Sequence, residues 1–179
     1  DITDVILTHL HFDHCGYATC INESGNIVPT FSNAKYWLSQ KQWNLYKSPN
    51  RLETDSIFPE NIQPIYDAGQ LCLIEKDTSL YTGFQLQLFD GHTAGQLVPV
   101  MYTHDGIYAL PGDLIPTSAH IPLEWISAYD VCALTSVTEK ERFLIVAEKE
   151  GYTLIYCHDA KVKSSKVKRL NDNYKTATS

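Results

Sequence analysis

Residues 9–14 of this 179-residue chain hold three of its seven histidines and one carboxylate, in the pattern His9-x-His11-x-Asp13-His14. Residues 1–7, immediately before them, are rich in Ile, Val and Leu and predict a strand that runs into the interior. In an extended backbone, residues two apart point to the same side, so His9 and His11 would project together, with Asp13 following if the extension persists. His14 then requires a turn. Imidazole and carboxylate groups are ligands for zinc, iron and manganese, so the cluster predicts a metal-binding loop.

The composition is that of a globular protein, with 44% hydrophobic and 20% charged residues. The chain shows no linker or repeat, so residues 1–179 are predicted to form one domain. No apolar run approaches the ~18 residues of a membrane span. A net charge of −7 disfavours nucleic acid and anionic membranes as partners. The basic cluster of residues 161–169 is interpreted as a lysine-protected edge strand or a solvated tail, with a binding patch as the alternative.

The five cysteines are an odd number and contain no Cys-x-x-Cys pair. This argues against a disulfide framework and favours a reducing compartment, so a cytoplasmic location is predicted. Cys15 and Cys157 each adjoin a proposed metal ligand. We interpret both as small buried side chains, and a supporting position beside the metal ligands is the alternative.

Periodicity and turn residues predict a mixed order of strands and helices. Strands are predicted over residues 1–7, 34–38, 71–75, 84–89, 97–103, 107–110 and 152–157, and helices over residues 40–46 and 136–149. Ser39 is a predicted N-cap, and Thr138-x-x-Glu141 has the pattern of a capping box. Residues 17–30 and 77–83 are predicted to be a loop and a turn, and residues 48–64 an irregular connection with a helical turn. His104 lies in a hairpin turn and is predicted to be exposed.

The His-x-His-x-Asp-His motif after a strand resembles the signature of the metallo-β-lactamase superfamily. Three later segments resemble that family's other landmarks: Asp90-Gly91-His92-Thr93-Ala94-Gly95, Gly112-Asp113, and Tyr156-Cys157-His158-Asp159. The resemblance extends from residue 1 to about residue 160 and implies an α+β fold, the αββα sandwich of two sheets between helices. In that fold several strands precede the first motif, so an incomplete, N-terminally truncated copy is expected.

The resemblance also implies a ligand set for two divalent metal ions, with zinc expected and manganese, iron or cobalt as alternatives. His9, His11 and His92 would bind one ion, Asp13, His14 and His158 the other, and Asp113 would bridge them. Asp90 and Asp159 adjoin these ligands. Each would either orient a ligand imidazole or cap the end of a strand.

Residues 112–122 and 125–130 resemble the branch of the superfamily that contains the quorum-quenching lactonases and the hydrolases similar to methyl parathion hydrolase. This implies a small-molecule ester or lactone substrate, with an N-acyl homoserine lactone favoured, attacked by a hydroxide that bridges the two metals. Asp113, Asp13 and Tyr129 are the candidate catalytic residues, and Tyr129 would either donate to the oxyanion or pack. His120 would bind substrate or cap a loop.

Other activities within the same family remain alternatives. A phosphotriesterase would use the same metal arrangement, and a glyoxalase II-like thioesterase has the same metal motif, although basic glutathione-binding residues are not evident. A β-lactamase and a ribonuclease are less favoured, the latter because of the negative charge. A catalytically silent metal-binding fragment is the alternative that is not an enzyme, and a homodimer is an expected assembly.

Overall fold

The computed structural model describes residues 1–177 and divides the chain into two compact units, of which the first comprises residues 1–76 and the second begins at Asp77. The predicted single domain, residues 1–179, includes both units and two residues outside the described part. That the two units form one domain stays a prediction. No disulfide joins the five cysteines, and within residues 1–177 no helix is long and apolar enough to cross a bilayer.

The first unit is built on a parallel three-stranded sheet of order β1-β4-β5, with a separate antiparallel hairpin of β2 and β3. Its elements are β1 (Asp4–Ile6), α1 (Phe12–Cys15), β2 (Thr19–Ile21), β3 (Ile27–Pro29), β4 (Lys35–Ser39), α2 (Gln40–Lys47), a 3-10 turn (Pro59–Asn61), α3 (Gln63–Asp67) and β5 (Leu71–Ile74). In the core of this unit, apolar residues in and just before the histidine motif pack with residues of β4, α2 and the segment around α3. The cluster includes Leu7, Leu10, Tyr36, Leu38, Trp43, Ile62 and Ile65.

Helix α2 begins as its sequence predicts. The Ser39 side chain accepts a hydrogen bond from the Gln42 backbone N–H at 3.1 Å, which confirms Ser39 as the N-cap. Gln42 in turn is fully buried, and its Oε1 accepts from the Leu10 backbone N–H at 2.9 Å. The first turn of α2 therefore holds the backbone at the centre of the histidine motif.

The prediction of a loop over residues 17–30 is wrong, because this segment contains the hairpin of β2 and β3. The Asn22 Oδ1 accepts from the backbone N–H groups of Ser24 and Asn26, both at 3.0 Å, and Gly25 supplies a left-handed turn conformation at φ +82°. A polar Asx-type turn closes these short strands, whereas sequence periodicity cannot detect strands of three residues.

The second unit is a seven-stranded sheet of order β12-β11-β10-β9-β8-β7-β6, with one long helix. Its elements are β6 (Thr78–Tyr81), β7 (Phe84–Phe89), β8 (Gln96–Thr103), β9 (Gly106–Ala109), 3-10 turns at Gly112–Leu114 and Ser118–His120, α4 (Ala133–Glu150), β10 (Thr153–Ile155), β11 (Ser164–Leu170) and β12 (Asn173–Ala177). The core lies around α4 and the central strands and includes Phe89, Val98, Val100, Ala109, Phe143, Leu144, Ala147 and Leu154.

Two details of this unit differ from the sequence prediction. The predicted turn over residues 77–83 contains strand β6, a polar edge strand that lacked a hydrophobic pattern. The predicted capping box is wrong, because α4 already begins at Ala133 and the Thr138 hydroxyl donates to the Leu134 carbonyl inside the helix at 3.0 Å. The predicted end at Gly151 is confirmed by its left-handed φ of 71°.

The parallel pairing of β9 with β10 is the feature that organises this unit. Every other neighbouring pair in the sheet is antiparallel, and α4 lies in the connection between these two strands. Parallel neighbouring strands have their C-terminal ends on the same side of the sheet. The segments that follow β9 and β10, one carrying Asp113 and the other His158, therefore meet at these C-terminal ends.

The basic segment forms most of β11, which is the second strand from the edge, while β12 is the edge strand. Lys166 and Lys168 point to the exposed side and Val167 to the buried side. The interpretation of the basic segment as an edge strand is therefore wrong, because β12 occupies the edge, and the lysines form a solvated face. His104 lies in the β8–β9 turn with its side chain 89% exposed, as predicted.

Candidate metal centre

Three histidine rings of the first unit converge after β1. The His9 ring is fully buried, and its centroid lies 4.6 Å from that of His11 and 4.2 Å from that of His14. The chain stays extended only to His11, the N-cap of α1, and α1 then turns His14 back toward His9. The extension does not persist to Asp13, which lies in the first turn of α1, where its Oδ2 is 3.4 Å from His14 Nε2.

Gly16 has a different role from the one its flexibility suggests. Its φ is −60°, which any residue adopts, so the turn needs no left-handed conformation. A Cβ at this position would lie 2.7 Å from the Phe12 carbonyl oxygen. Gly16 is therefore needed for close packing of the backbone at the end of α1.

A buried carboxylate fixes the orientation of His11. Glu53 Oε1 lies 3.1 Å from His11 Nε2, and Asn50 Nδ2 donates to the other carboxylate oxygen. Glu53 is only 3% exposed and is held by its own turn, in which Asn50 Oδ1 accepts from the Glu53 backbone N–H at 3.1 Å. A carboxylate on one ring nitrogen directs the other nitrogen, here Nδ1, toward a metal. Sequence reasoning missed Glu53 because it lies in the irregular connection 42 residues after His11.

Cys15 is a buried core residue, as predicted. Its thiol donates to the Leu10 carbonyl at 3.4 Å and accepts from Asn61 Nδ2 at 3.6 Å. Burial raises the pKa of the Cys15 thiol to about 12. It therefore stays protonated and supports the backbone of the histidine motif.

In the second unit one carboxylate lies between two imidazoles. Asp113 Oδ2 is 3.3 Å from His92 Nε2, and Asp113 Oδ1 is 3.2 Å from His158 Nε2. Asp113 lies in the 3-10 turn after β9, and His158 follows β10, so both lie beyond the C-terminal ends of these parallel strands. The ligand atoms of Asp113, Cys157 and His158 all lie within 4.8 Å of one another.

Asp130 is a second residue that the sequence did not single out as a partner of a ligand. Its Oδ1 lies 2.9 Å from His92 Nδ1, and both side chains are almost fully buried. The backbone reinforces this contact, because the Val131 N–H donates to the His92 carbonyl at 3.1 Å. Asp130 thus fixes the ring so that Nε2 faces Asp113.

The two aspartates proposed to orient a ligand or cap a strand both make the contacts of capping residues. Asp90 Oδ1 accepts from the Gly95 backbone N–H at 2.8 Å. Asp159 accepts from Ser118 through both the hydroxyl and the backbone N–H, and from the N–H groups of Lys161 and Val162. These hydrogen bonds hold the pKa of Asp159 well below its usual range, and the one from the Ser118 side chain has the largest effect.

A buried lysine clamps the loop that follows Asp113. Lys140 of α4 is 1% exposed, and its Nζ donates to the carbonyls of His120 at 3.0 Å and of Pro122 and Trp125 at 2.8 Å. Burial lowers the pKa of Lys140 to about 8. The His120 ring lies against Thr117, with Nδ1 and Oγ1 2.7 Å apart, and burial lowers its pKa as well. These contacts give His120 a loop-capping role, and a role in binding substrate remains a proposal.

We expect Lys140→Met to reduce the free energy of unfolding by about 2–4 kcal/mol, because three carbonyls lose their donor at once. Urea unfolding at neutral pH measures this loss. Lys149→Met, at an exposed position in the last turn of the same helix, is the matched control and should change stability by less than about 0.5 kcal/mol. Equal effects of the two substitutions would contradict the clamp.

Tyr129 and Cys157 both lie at exposed positions. The Tyr129 side chain is 84% exposed, one residue before Asp130, so it does not pack in a core. Cys157 is also exposed, which makes its prediction as a buried side chain wrong. Its thiol instead donates to Asp113 Oδ1 at 3.4 Å.

The donor set fits a divalent transition metal. Zinc binds imidazole nitrogen and carboxylate oxygen at about 2.0–2.2 Å, so two such ligands of one tetrahedral ion lie about 3.3 Å apart. The distances from Asp113 to His92 and His158, at 3.3 and 3.2 Å, match that spacing. The carboxylates on His11 and His92 are the partners that such ligands commonly have.

Residues 1–158 match the family model described as the metallo-beta-lactamase superfamily. The chain belongs to the metallo-β-lactamase superfamily. No sequence among curated proteins matches it significantly. The predicted α+β fold of this superfamily is confirmed, and its His and Asp groups are candidate ligands for the divalent metals that the superfamily binds.

Solved structures of this superfamily share the fold. A probable metal-dependent hydrolase from Staphylococcus aureus is 29% identical with a TM-score of 0.83, and the match covers 93% of this chain and 58% of that one. AidC, a dizinc quorum-quenching lactonase in complex with a product, is 22% identical with a TM-score of 0.79, covering 100% of this chain and 65% of that one. An N-acyl homoserine lactone hydrolase with N-hexanoyl-L-homoserine at its catalytic metal centre is 22% identical with a TM-score of 0.65, and the match covers 87% of this chain and 55% of that one. The chain thus spans less than two thirds of each of these solved chains.

Proposed function

We propose that the chain is a metal-dependent hydrolase that opens lactones or cleaves esters at a two-metal centre, with N-acyl homoserine lactones as the favoured substrates. The observation that carries this proposal is the position of Asp113, whose two oxygens face the imidazoles of His92 and His158 separately. A carboxylate in this position is suited to bridge two ions. The lactone substrate is supported by the solved relatives, two of which carry the names of lactone-hydrolysing enzymes.

The proposed ligands are those that the family resemblance implies. His9, His11 and His92 would hold one ion, Asp13, His14 and His158 would hold the other, and Asp113 would be shared by both. We propose zinc for both ions, with manganese, iron and cobalt as alternatives. Such a pair, when bound, lowers the pKa of a water molecule toward neutrality and polarises the group under attack.

The chain's own residues then supply orientation and proton transfer. Glu53 holds the ring of His11 in place, and Asp130 holds that of His92. Asp113 is proposed to hold a proton for the departing alkoxide. The exposed Tyr129 hydroxyl is proposed to donate a hydrogen bond to the oxyanion, and Asp13 to hold the second ion.

The proposal is tested by loading the 179-residue chain with zinc and assaying a lactone, a thioester and a phosphotriester side by side. We expect about two metal ions per chain and hydrolysis of N-hexanoyl-homoserine lactone in preference to the other two. Folded protein with two ions and no hydrolysis of any substrate would identify a silent metal-binding domain. Folded protein that retains no metal would refute the ligand assignment itself.

A further inference from the structure

Cys157 has an unusual position for a cysteine that follows a buried strand. Tyr156 is buried, and its hydroxyl lies 2.7 Å from the Ser165 hydroxyl. Cys157 instead points toward the carboxylate of Asp113. The bend after β10 thus places a thiol beside the candidate ligands of the second unit.

Three donors converge on one point at this position. Asp113 Oδ1 lies 3.2 Å from His158 Nε2 and 3.4 Å from Cys157 Sγ, and all three ligand atoms lie within 4.8 Å of one another. Zinc binds sulfur at about 2.3 Å and oxygen or nitrogen at about 2.1 Å, which places tetrahedral sulfur and oxygen ligands about 3.5 Å apart. The distances from the Asp113 oxygen to the His158 nitrogen and to the Cys157 sulfur are those of ligands around a single ion.

We propose that Cys157 is a sulfur ligand of the ion held by Asp113 and His158. The inference rests on the second metal ion of the proposed function and adds a donor that the family resemblance did not assign. On binding, the thiol releases its proton to the solvent, and the sulfur lone pair forms the new bond to the metal. Because thiolate ligands select zinc and similar soft ions over magnesium, calcium and manganese, this site prefers zinc, cobalt or cadmium.

Cobalt is the probe for this bond, because a thiolate bound to Co²⁺ gives a charge-transfer absorption band in the near ultraviolet that nitrogen and oxygen ligands do not give. The metal-free chain is titrated with Co²⁺ for the unchanged protein, Cys157→Ser and Cys132→Ser. Cys132 is the other exposed cysteine of the second unit and is the matched control. We expect the band in the unchanged protein and in Cys132→Ser, and its loss in Cys157→Ser, which still binds cobalt through the remaining ligands.

A second measurement needs no substitution. Alkylation by iodoacetamide, followed residue by residue by mass spectrometry, is compared between the metal-free and the zinc-loaded chain. Zinc should slow modification of Cys157 by about tenfold or more, since the sulfur nucleophile is engaged, and should leave Cys132 unchanged. The labelling result stands even if Cys157→Ser fails to fold.

The outcomes separate this inference from the proposed function. Cobalt binding and lactone hydrolysis without a near-ultraviolet band, or a band that persists in Cys157→Ser, would overturn the sulfur ligand and leave the hydrolase intact. Equal alkylation of Cys157 with and without zinc would also overturn it. A chain that binds no cobalt would overturn both, and a band without hydrolysis would support the ligand while contradicting the enzyme.

Discussion

If Asp113 bridges two ions as proposed, replacing it with asparagine is expected to lower kcat for N-hexanoyl-homoserine lactone by about a thousandfold, which corresponds to about 4 kcal/mol of transition-state stabilisation. The two carboxylate oxygens face His92 and His158 at 3.3 and 3.2 Å. The amide nitrogen of asparagine cannot ligate a cation, so the variant would lose one of the two contacts of the proposed bridge. Metal analysis of the variant should find the total reduced toward one ion per chain.

Asp105→Asn is the matched control for that experiment. Asp105 belongs to the same unit, lies in the β8–β9 turn and is 67% exposed, with its side chain next to His104. Asp105→Asn removes the same charge at the opposite end of β9 from Asp113. Its kcat and metal content should match those of the unchanged chain. If Asp113→Asn retains comparable activity, Asp113 does not bridge two ions.

The second large effect is expected for Asp130→Asn. Its carboxylate lies 2.9 Å from His92 Nδ1 in a buried pair. Asparagine can still accept a hydrogen bond but lacks the charge that strengthens this one and makes the imidazole a better ligand. We expect the metal dissociation constant to rise about 10–100-fold, as is typical when such a partner is removed.

Competition with a metal chelator measures this change directly. Hydrolysis should fall at limiting zinc and recover at saturating zinc, because Asp130 acts through His92 and not on the substrate. Asp172→Asn, at an exposed position between β11 and β12, provides the control for loss of one negative charge. A variant at Asp130 that binds zinc as tightly as the control would show that the contact is only structural.

The candidate metal ligands could be singled out from the sequence because they lie in compact motifs at the ends of strands. His9, His11 and His14 are close in sequence, and local geometry alone brings their rings together. The N-cap at Ser39 and the helix end at Gly151 were predictable for the same reason, since each depends on one or two neighbouring residues.

The supporting residues could not be predicted in this way. Glu53 meets His11 across 42 residues and Asp130 meets His92 across 38, and no spacing rule connects such pairs. The start of α4 was misplaced because Thr138 and Glu141 mimic a capping box within the helix. Cys157 was assigned to the core because cysteine is usually buried, whereas it lies in the bend after β10, next to the buried Tyr156, and is exposed.

The parallel pairing of β9 and β10 also bears on the kinetics of folding. Asp113 and His158 follow strands that can pair only after the chain between them, including all of α4, has closed into a large loop. Closure of long loops and pairing of distant strands are slow steps compared with formation of a helix or hairpin. The candidate ligands of the second unit should therefore converge late, and the rate at which refolding protein acquires metal would report the completion of this crossover.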